Sequence, residues 1–144
     1  MTNIFEETYT KIQQIKTAYN SATNDAEREE ARKEFESITD SFKAKSLCVN
    51  RIMNEYEVSR DSGNEILNIR AFINQNQVDE FIGVLKENGI NEFTFSASST
   101  GALENAYKFQ EAGYKLQGIV EIYSEYKKFF SDEYEKIFAY LFRA

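Results

Sequence analysis

The 144-residue chain contains no histidine, no proline and no tryptophan, and a single cysteine, Cys48. Each absence excludes something. Without imidazole, no side chain exchanges protons near neutral pH at its ordinary pKa, and the commonest nitrogen ligand for metals is missing. Neither a Ser–His–Asp nor a Cys–His arrangement can be assembled, and one cysteine with no histidine cannot build a zinc site. Carboxylates remain, but no Asp-rich loop has the spacing of a calcium site. A lone cysteine forms no internal disulfide. No apolar run reaches the ~18 residues expected of a membrane-spanning helix. The first ten residues, MTNIFEETYT, carry acids where a signal peptide has a basic start and an apolar core. These exclusions lead to an expectation of a cytoplasmic, non-enzymatic protein with no cofactor and no metal.

What is present is apolar, aromatic and acidic. Hydrophobic residues make up 42% of the chain, with 12 Phe and 9 Tyr, enough for a packed core rather than disorder. The formal net charge is −7, and acids outnumber bases on both sides of Glu65. No basic stripe is available for a phosphate backbone, so direct nucleic-acid binding is disfavoured. A basic protein is the more natural partner, because complementary fields speed encounter. The same acidity also serves plain solubility.

Residues 1–60 have the pattern of a helical hairpin. Thr2 or Asn3 can cap a helix whose apolar residues, Phe5, Tyr9, Ile12, Ile15 and Tyr19, recur every three or four positions. After the turn "NSATND" (20–25), Phe35, Ile38, Phe42, Val49, Ile52 and Tyr56 continue the rhythm, with an interruption at Lys45. The second helix is either continuous over about 30 residues or broken near Ser46. Its apolar face, with that of the first helix, must dock on the rest of the chain, on a twin subunit or on a partner; docking on the chain's own sheet is the simplest expectation.

The turn cluster "SRDSGNE" (59–65) marks a boundary between this unit and a second, residues 61–144. "EILNIRAFI" (65–73) predicts a largely buried strand. A helix follows with Val78, Phe81, Ile82 and Leu85 inward, stopped by Asn88-Gly89. "NEFTFSA" (91–97) predicts a strand with Phe93 and Phe95 on one side. "STGALENAYKFQEAG" (99–113) predicts a helix with Ala102, Ala106 and Phe109 on one face. A third strand over 114–126 offers Leu116, Ile119 or Val120, and Ile122 to the core. "KKFFSDEYEK" (127–136) is a connection of undefined structure. In the closing strand "IFAYLFRA", Phe138 and Phe142 are expected to face inward. The fold class is α+β: a helical hairpin followed by β-α-β-α-β-β, a four-stranded mixed sheet with helices packed on it and the last two strands antiparallel.

Two places could carry function. The corner Ser98, Ser99, Thr100 and Gly101 joins the end of a strand to the start of a helix, where free backbone N–H groups favour an anion. It has one glycine and no lysine, so it is neither a Walker loop nor a dinucleotide fingerprint. Ser99 and Thr100 also suit plain helix capping. The second place is aromatic crowding: Tyr123, Tyr126, Phe129, Phe130 and Tyr134 beside Lys127 and Lys128. Strand cores favour aromatics, while exposed Tyr and Phe anchor protein interfaces; exposure separates the two. Cys48 fits a small buried thiol.

The phrases "FTFS" (93–96), "FQEAGYKLQGIVEI" (109–122) and "AYLF" (139–142) resemble a family of small uncharacterised proteins of Gram-positive bacteria. The resemblance covers about residues 66–143 and leaves out the helical hairpin. It implies an accessory protein of plasmids, conjugative elements or phages, whose partner is a host or element-encoded protein. Small acidic inhibitors of restriction or CRISPR effectors belong to that class. No catalytic residue is implied. The sequence is therefore expected to encode a non-enzymatic protein-binding module acting by surface occlusion. The alternatives are an anion- or ligand-binding domain using Ser98–Gly101 and a homodimer built through the helical hairpin.

Overall fold

The computed structural model describes residues 3–144. Three helices come first: α1 (Ile4–Ser21), α2 (Asp25–Lys43) and α3 (Leu47–Asp61). They precede β1 (Asn68–Ile69), a 3-10 turn at Gln75–Gln77, α4 (Val78–Glu87), β2 (Glu92–Phe95), α5 (Ala102–Glu111), β3 (Lys115–Lys127) and β4 (Tyr134–Arg143). The Asn3 side chain caps α1 by accepting from the Phe5 and Glu6 amides; the alternative cap, Thr2, lies outside the described residues. The long second helix is broken rather than continuous. Ser46 caps α3 by accepting from the Val49 amide, and Asn50 Nδ2 donates to the carbonyls of Phe42 and Ser46, stitching the two helices across the break. Competition from such short polar side chains is what ends a helix where proline is absent. Cys48 consequently sits in the first turn of α3.

The sheet has the order β1-β2-β4-β3. β1 and β2 are parallel, and β4 runs antiparallel to both of its neighbours, β2 and β3. The mixed four-stranded sheet and the antiparallel final pair agree with the expectation from sequence. The first strand is much shorter than its nine-residue pattern suggests, because Arg70 onward leaves the ladder. Its outer edge is closed by α3: the Asn68 amide donates to Ser59 Oγ at 2.9 Å and the Arg70 amide to Glu55 Oε2 at 2.8 Å. Side chains thus satisfy backbone groups that a longer neighbouring strand would otherwise take.

One face of the sheet is defined by register. Ile69, Phe95 and Tyr140 align across three strands, as do Phe93, Phe142 and Leu116. α5 seats Phe109 on this face, with ring centroids 5.0 Å from Phe93, 5.2 Å from Phe95 and 5.3 Å from Phe142. Tyr114, just after α5, packs its ring 5.2 Å from Phe93 and donates its hydroxyl to the Ile90 carbonyl at 2.7 Å. Such edge-to-face packing favours aromatic rings over aliphatics here. Asn105, buried on the same helix, donates to the Ile73 carbonyl and accepts the Ile73 amide, fastening α5 to the segment after β1.

The core runs continuously from Phe5 and Ile12 through Ile52, Tyr56 and Phe81 to Phe93 and Phe142. Within residues 1–60, α3 packs on the sheet at β1 and β3, and α1 packs on α3 in turn. Tyr9 Oη donates to Asp61 at 2.8 Å, and Arg60 bonds Glu6 at 2.8 Å while lying over the Tyr56 ring. α2 is held more lightly: Ala31 is its one buried residue, and Phe35 stays exposed.

Two core assignments made from sequence, Leu116 and Phe138, are corrected, and of the alternatives Ile119 or Val120 it is Val120 that is half-buried. Leu116, Ile119 and Phe138 are exposed, Phe138 at 72%. Val120 and Ile122, on the opposite side of β3, are half-buried. Two things explain this: α5 lies over β2 and β4 and leaves the edge strand β3 uncovered, Leu116 included, and its ten residues span ~15 Å against ~40 Å for the 13 residues of β3, so Phe138 lies past its end. α5 covers only one end of the face.

Candidate functional site

β2 pairs with β4 only from Tyr140 to Arg143. Beyond that, β3 and β4 continue alone from the Val120–Ala139 pair to the Lys127–Tyr134 pair, a two-stranded arm projecting ~17 Å past β2. A bare hairpin is marginal in water, and this one is buttressed from below. Asn64 makes a paired bond with Tyr123 on the outer edge of β3, donating to its carbonyl at 2.7 Å and accepting its amide at 2.9 Å. Gly63, at φ +96°, lies against the Tyr123 ring, a backbone conformation that glycine adopts without strain. Arg70 ties the arm to the body, bonding Glu55 of α3 through Nε and Nη2 and Glu125 of β3 through Nη1. The Glu55 hydrogen bonds hold the Arg70 guanidinium above its ordinary pKa. Cations also sit over the arm's rings: Lys136 over Tyr123 and Lys127 over Tyr134.

The connection left undefined by the sequence is a short turn. The Lys128 amide donates to the Glu133 carbonyl at 2.7 Å, the Ser131 amide to the Lys128 carbonyl at 3.1 Å, and the Glu133 amide to Ser131 Oγ at 3.0 Å. Phe129 and Phe130 stand at its apex, 87% and 97% exposed, with ring centroids 4.3 Å apart. Phe130 has φ +57°, a left-handed conformation that disfavours a bulky side chain by about 1 kcal/mol. Of the aromatics singled out in the sequence, Tyr126, Phe129 and Phe130 are exposed, Tyr123 is partly so, and Tyr134 is half-buried beneath Lys127.

The Ser98–Gly101 corner differs from its expected form. Gly101 rather than Ser99 or Thr100 occupies the cap position of α5, with no side-chain hydrogen bond, and the turn closes by backbone contact from Ala102 N–H to Ser99 O at 3.0 Å. Ser98, Ser99 and Thr100 point outward. A Cβ at Gly101 would lie 2.8 Å from the Phe72 ring, so the glycine is there for close approach. The corner opens onto a cleft of about 670 Å³ between α5 and the strands, and no charged side chain lines it.

Sequence reasoning missed two features. Arg70 and Glu125 of the Glu55–Arg70–Glu125 chain line a small cavity of about 220 Å³. Arg70 pairs with both Glu55 and Glu125, and among the described residues no buried side-chain nitrogen or oxygen lacks a partner. Nothing local marks these three residues, which are far apart in the chain. The second is the uncovered sheet face. Cys48 is buried, and burial, with Glu80 adding to it, pushes its thiol pKa up and keeps it unreactive. Among the described residues no group of acids and cysteine is arranged to hold a metal ion, and no helix is long and apolar enough to cross a membrane.

The fold and the projecting arm define an α+β domain bearing an aromatic-tipped hairpin. The chain belongs to the family described as Domain of unknown function (DUF7698), which matches residues 51–144. The match begins within α3 and includes the whole sheet, so α1 and α2 lie outside it. No curated protein and no solved structure matches the chain.

Proposed function

We propose that this protein is a non-enzymatic binding module whose partner protein is anchored by the β3–β4 hairpin tip. One observation carries the reading: Phe129 and Phe130 are almost wholly exposed, contact chiefly each other, and hold Phe130 in a costly left-handed backbone. They contribute nothing to the core, so their use lies outside the chain. Tyr126 and Tyr123 extend the same surface down the arm, with half-buried Tyr134 as a support. Aromatic anchors within a polar rim are the usual source of binding energy at interfaces. The net charge of −7 steers a basic partner toward this surface. In line with the resemblance of "FTFS" and "AYLF", the partner is a host or element-encoded protein, and the role is that of a mobile-element accessory or anti-defence factor working in the cytoplasm by occlusion.

Affinity capture from a Gram-positive lysate tests this. A partner retained by the wild-type chain should be lost when Phe129→Ser and Phe130→Ser are combined. Retention of every partner by that variant refutes the tip as anchor.

A second reading is favoured by the absence of a side-chain cap on α5: an anion held at Ser98–Gly101. Phosphate titration followed through the amide resonances of residues 98–102 tests it, and unshifted resonances end it.

A further inference from the structure

The outer half of the α5-bearing sheet face is apolar and uncovered. Leu116, Ile119, Phe138 and Tyr140 share it by register, with Glu121 opposite Phe138 at its far end and paired to Lys136 at 3.4 Å, and Leu103 on α5 borders it at 79% exposure. With about 200 Å² per residue scaled by exposure, these five offer on the order of 600 Å², the top of the range for the largest patch of an ordinary monomer; two copies together would bury about 1,200 Å², the lower end of a standard interface.

We infer that a second copy of this chain occupies this face, forming a two-fold dimer. Charge selects that occupant. Two copies at −7 each repel, and they can approach where charge is lacking; none of the residues lining the cleft is charged. A basic partner drawn by the acidic surface would find no carboxylate in the cleft, and Glu121 beside it is already paired with Lys136. Shape agrees as well. The small walls Ala102 and Ala106 leave a trough beside α5, while Ile119 and Phe138 stand up from the strands next to it. A two-fold axis brings the ridge of one copy into the trough of the other, and both contacts form at once. This dimer uses a surface separate from the Phe129–Phe130 tip and from the α1–α2 hairpin, and leaves both arms free.

Light scattering on the full chain at about 100 μM, a concentration at which a micromolar dimer is saturated, tests the inference. The expected mass is twice the 16.7 kDa of the chain. Ile119→Ser with Phe138→Ser should weaken association at least about 100-fold, since two central anchors are lost, and Leu103→Lys should do the same from the helix side. Phe129→Ser with Phe130→Ser should leave the mass doubled, which separates this interface from the partner-binding tip. Unchanged far-ultraviolet circular dichroism shows that the variants remain folded. A monomeric wild-type chain overturns the inference, as does a dimer that survives both the Ile119/Phe138 and the Leu103 substitutions. A monomer whose cleft takes up an apolar dye would assign the groove to a small ligand and likewise overturn it.

Discussion

Phe138 and Phe142 stand four residues apart on the same face of the same strand, yet one is 72% exposed and the other 1%. Phe142 lies under α5, against Phe93 and Phe109; Phe138 lies beyond the helix's reach. The contrast divides the sheet into a half that builds the fold and a half free to meet something else. The N-terminal helices repeat it, since α1 is fastened to α3 while α2 hangs from α1. The two sheet edges repeat it again: α3 closes the edge of β1 at Asn68 and Arg70, whereas the edge of β3 is held by Asn64 at Tyr123.

The largest expected effect tests the division directly. Phe142→Ala should cost about 3–5 kcal/mol through lost packing and the cavity left behind. Phe138→Ala, measured by urea unfolding dilute enough to keep the chain monomeric, should change stability by less than about 0.5 kcal/mol. Equal losses at the two positions would abolish the distinction.

Next comes the closed edge. Glu55→Gln removes a nearly buried carboxylate that accepts both the Arg70 guanidinium and its amide. Because Arg70 is partly solvated, the expected loss is about 2–3 kcal/mol, below the range for fully buried pairs. Asn64→Ala at the other edge should cost about 1 kcal/mol, the worth of its hydrogen bonds.

The fastening of α1 is probed by Tyr9. Burial, with Asp61 accepting its hydrogen bond, pushes the Tyr9 hydroxyl up from 10.0 to about 12. A raised folded-state pKa means that the native state holds this proton more tightly than the unfolded chain does. The stabilisation is therefore fully present below pH 10 and is lost as pH rises through about 12. Tyr9→Phe should cost about 1 kcal/mol at neutral pH. It should also flatten the alkaline arm of a stability-against-pH curve, and an unchanged arm would count against the Tyr9–Asp61 link.

The smallest effect is a gain. Phe130→Gly should raise stability by about 0.5 kcal/mol, because relief of the left-handed strain exceeds the entropy lost with glycine. A destabilised variant would mean that the Phe130 ring supports the fold, contrary to the role assigned to the tip.

Much of this architecture was legible in the sequence. The three-and-four spacing of Phe5, Tyr9, Ile12 and Ile15, the stop at Gly89, and the alternation of Phe93 and Phe95 named the right elements in the right order. The tip aromatics could be located as a cluster, but their exposure could not. Ser46 was flagged as a break without a local rule to decide it, since Asn50 settles the matter by reaching back to Phe42. At the Ser98–Gly101 corner, residue preferences pointed to Ser or Thr as the cap, but the approach of Phe72 placed Gly101 there instead. Glu55, Arg70 and Glu125 had no local signature at all, because their meaning arises when three distant segments converge.

The amino-acid order settled which side chains share a face, because strand alternation and helical period are local properties of the backbone. It settled as well that imidazole chemistry and disulfides are unavailable. Tertiary structure alone decided which of those faces is covered, because coverage depends on where a ten-residue helix lies on a sheet whose longest strand is nearly three times its length.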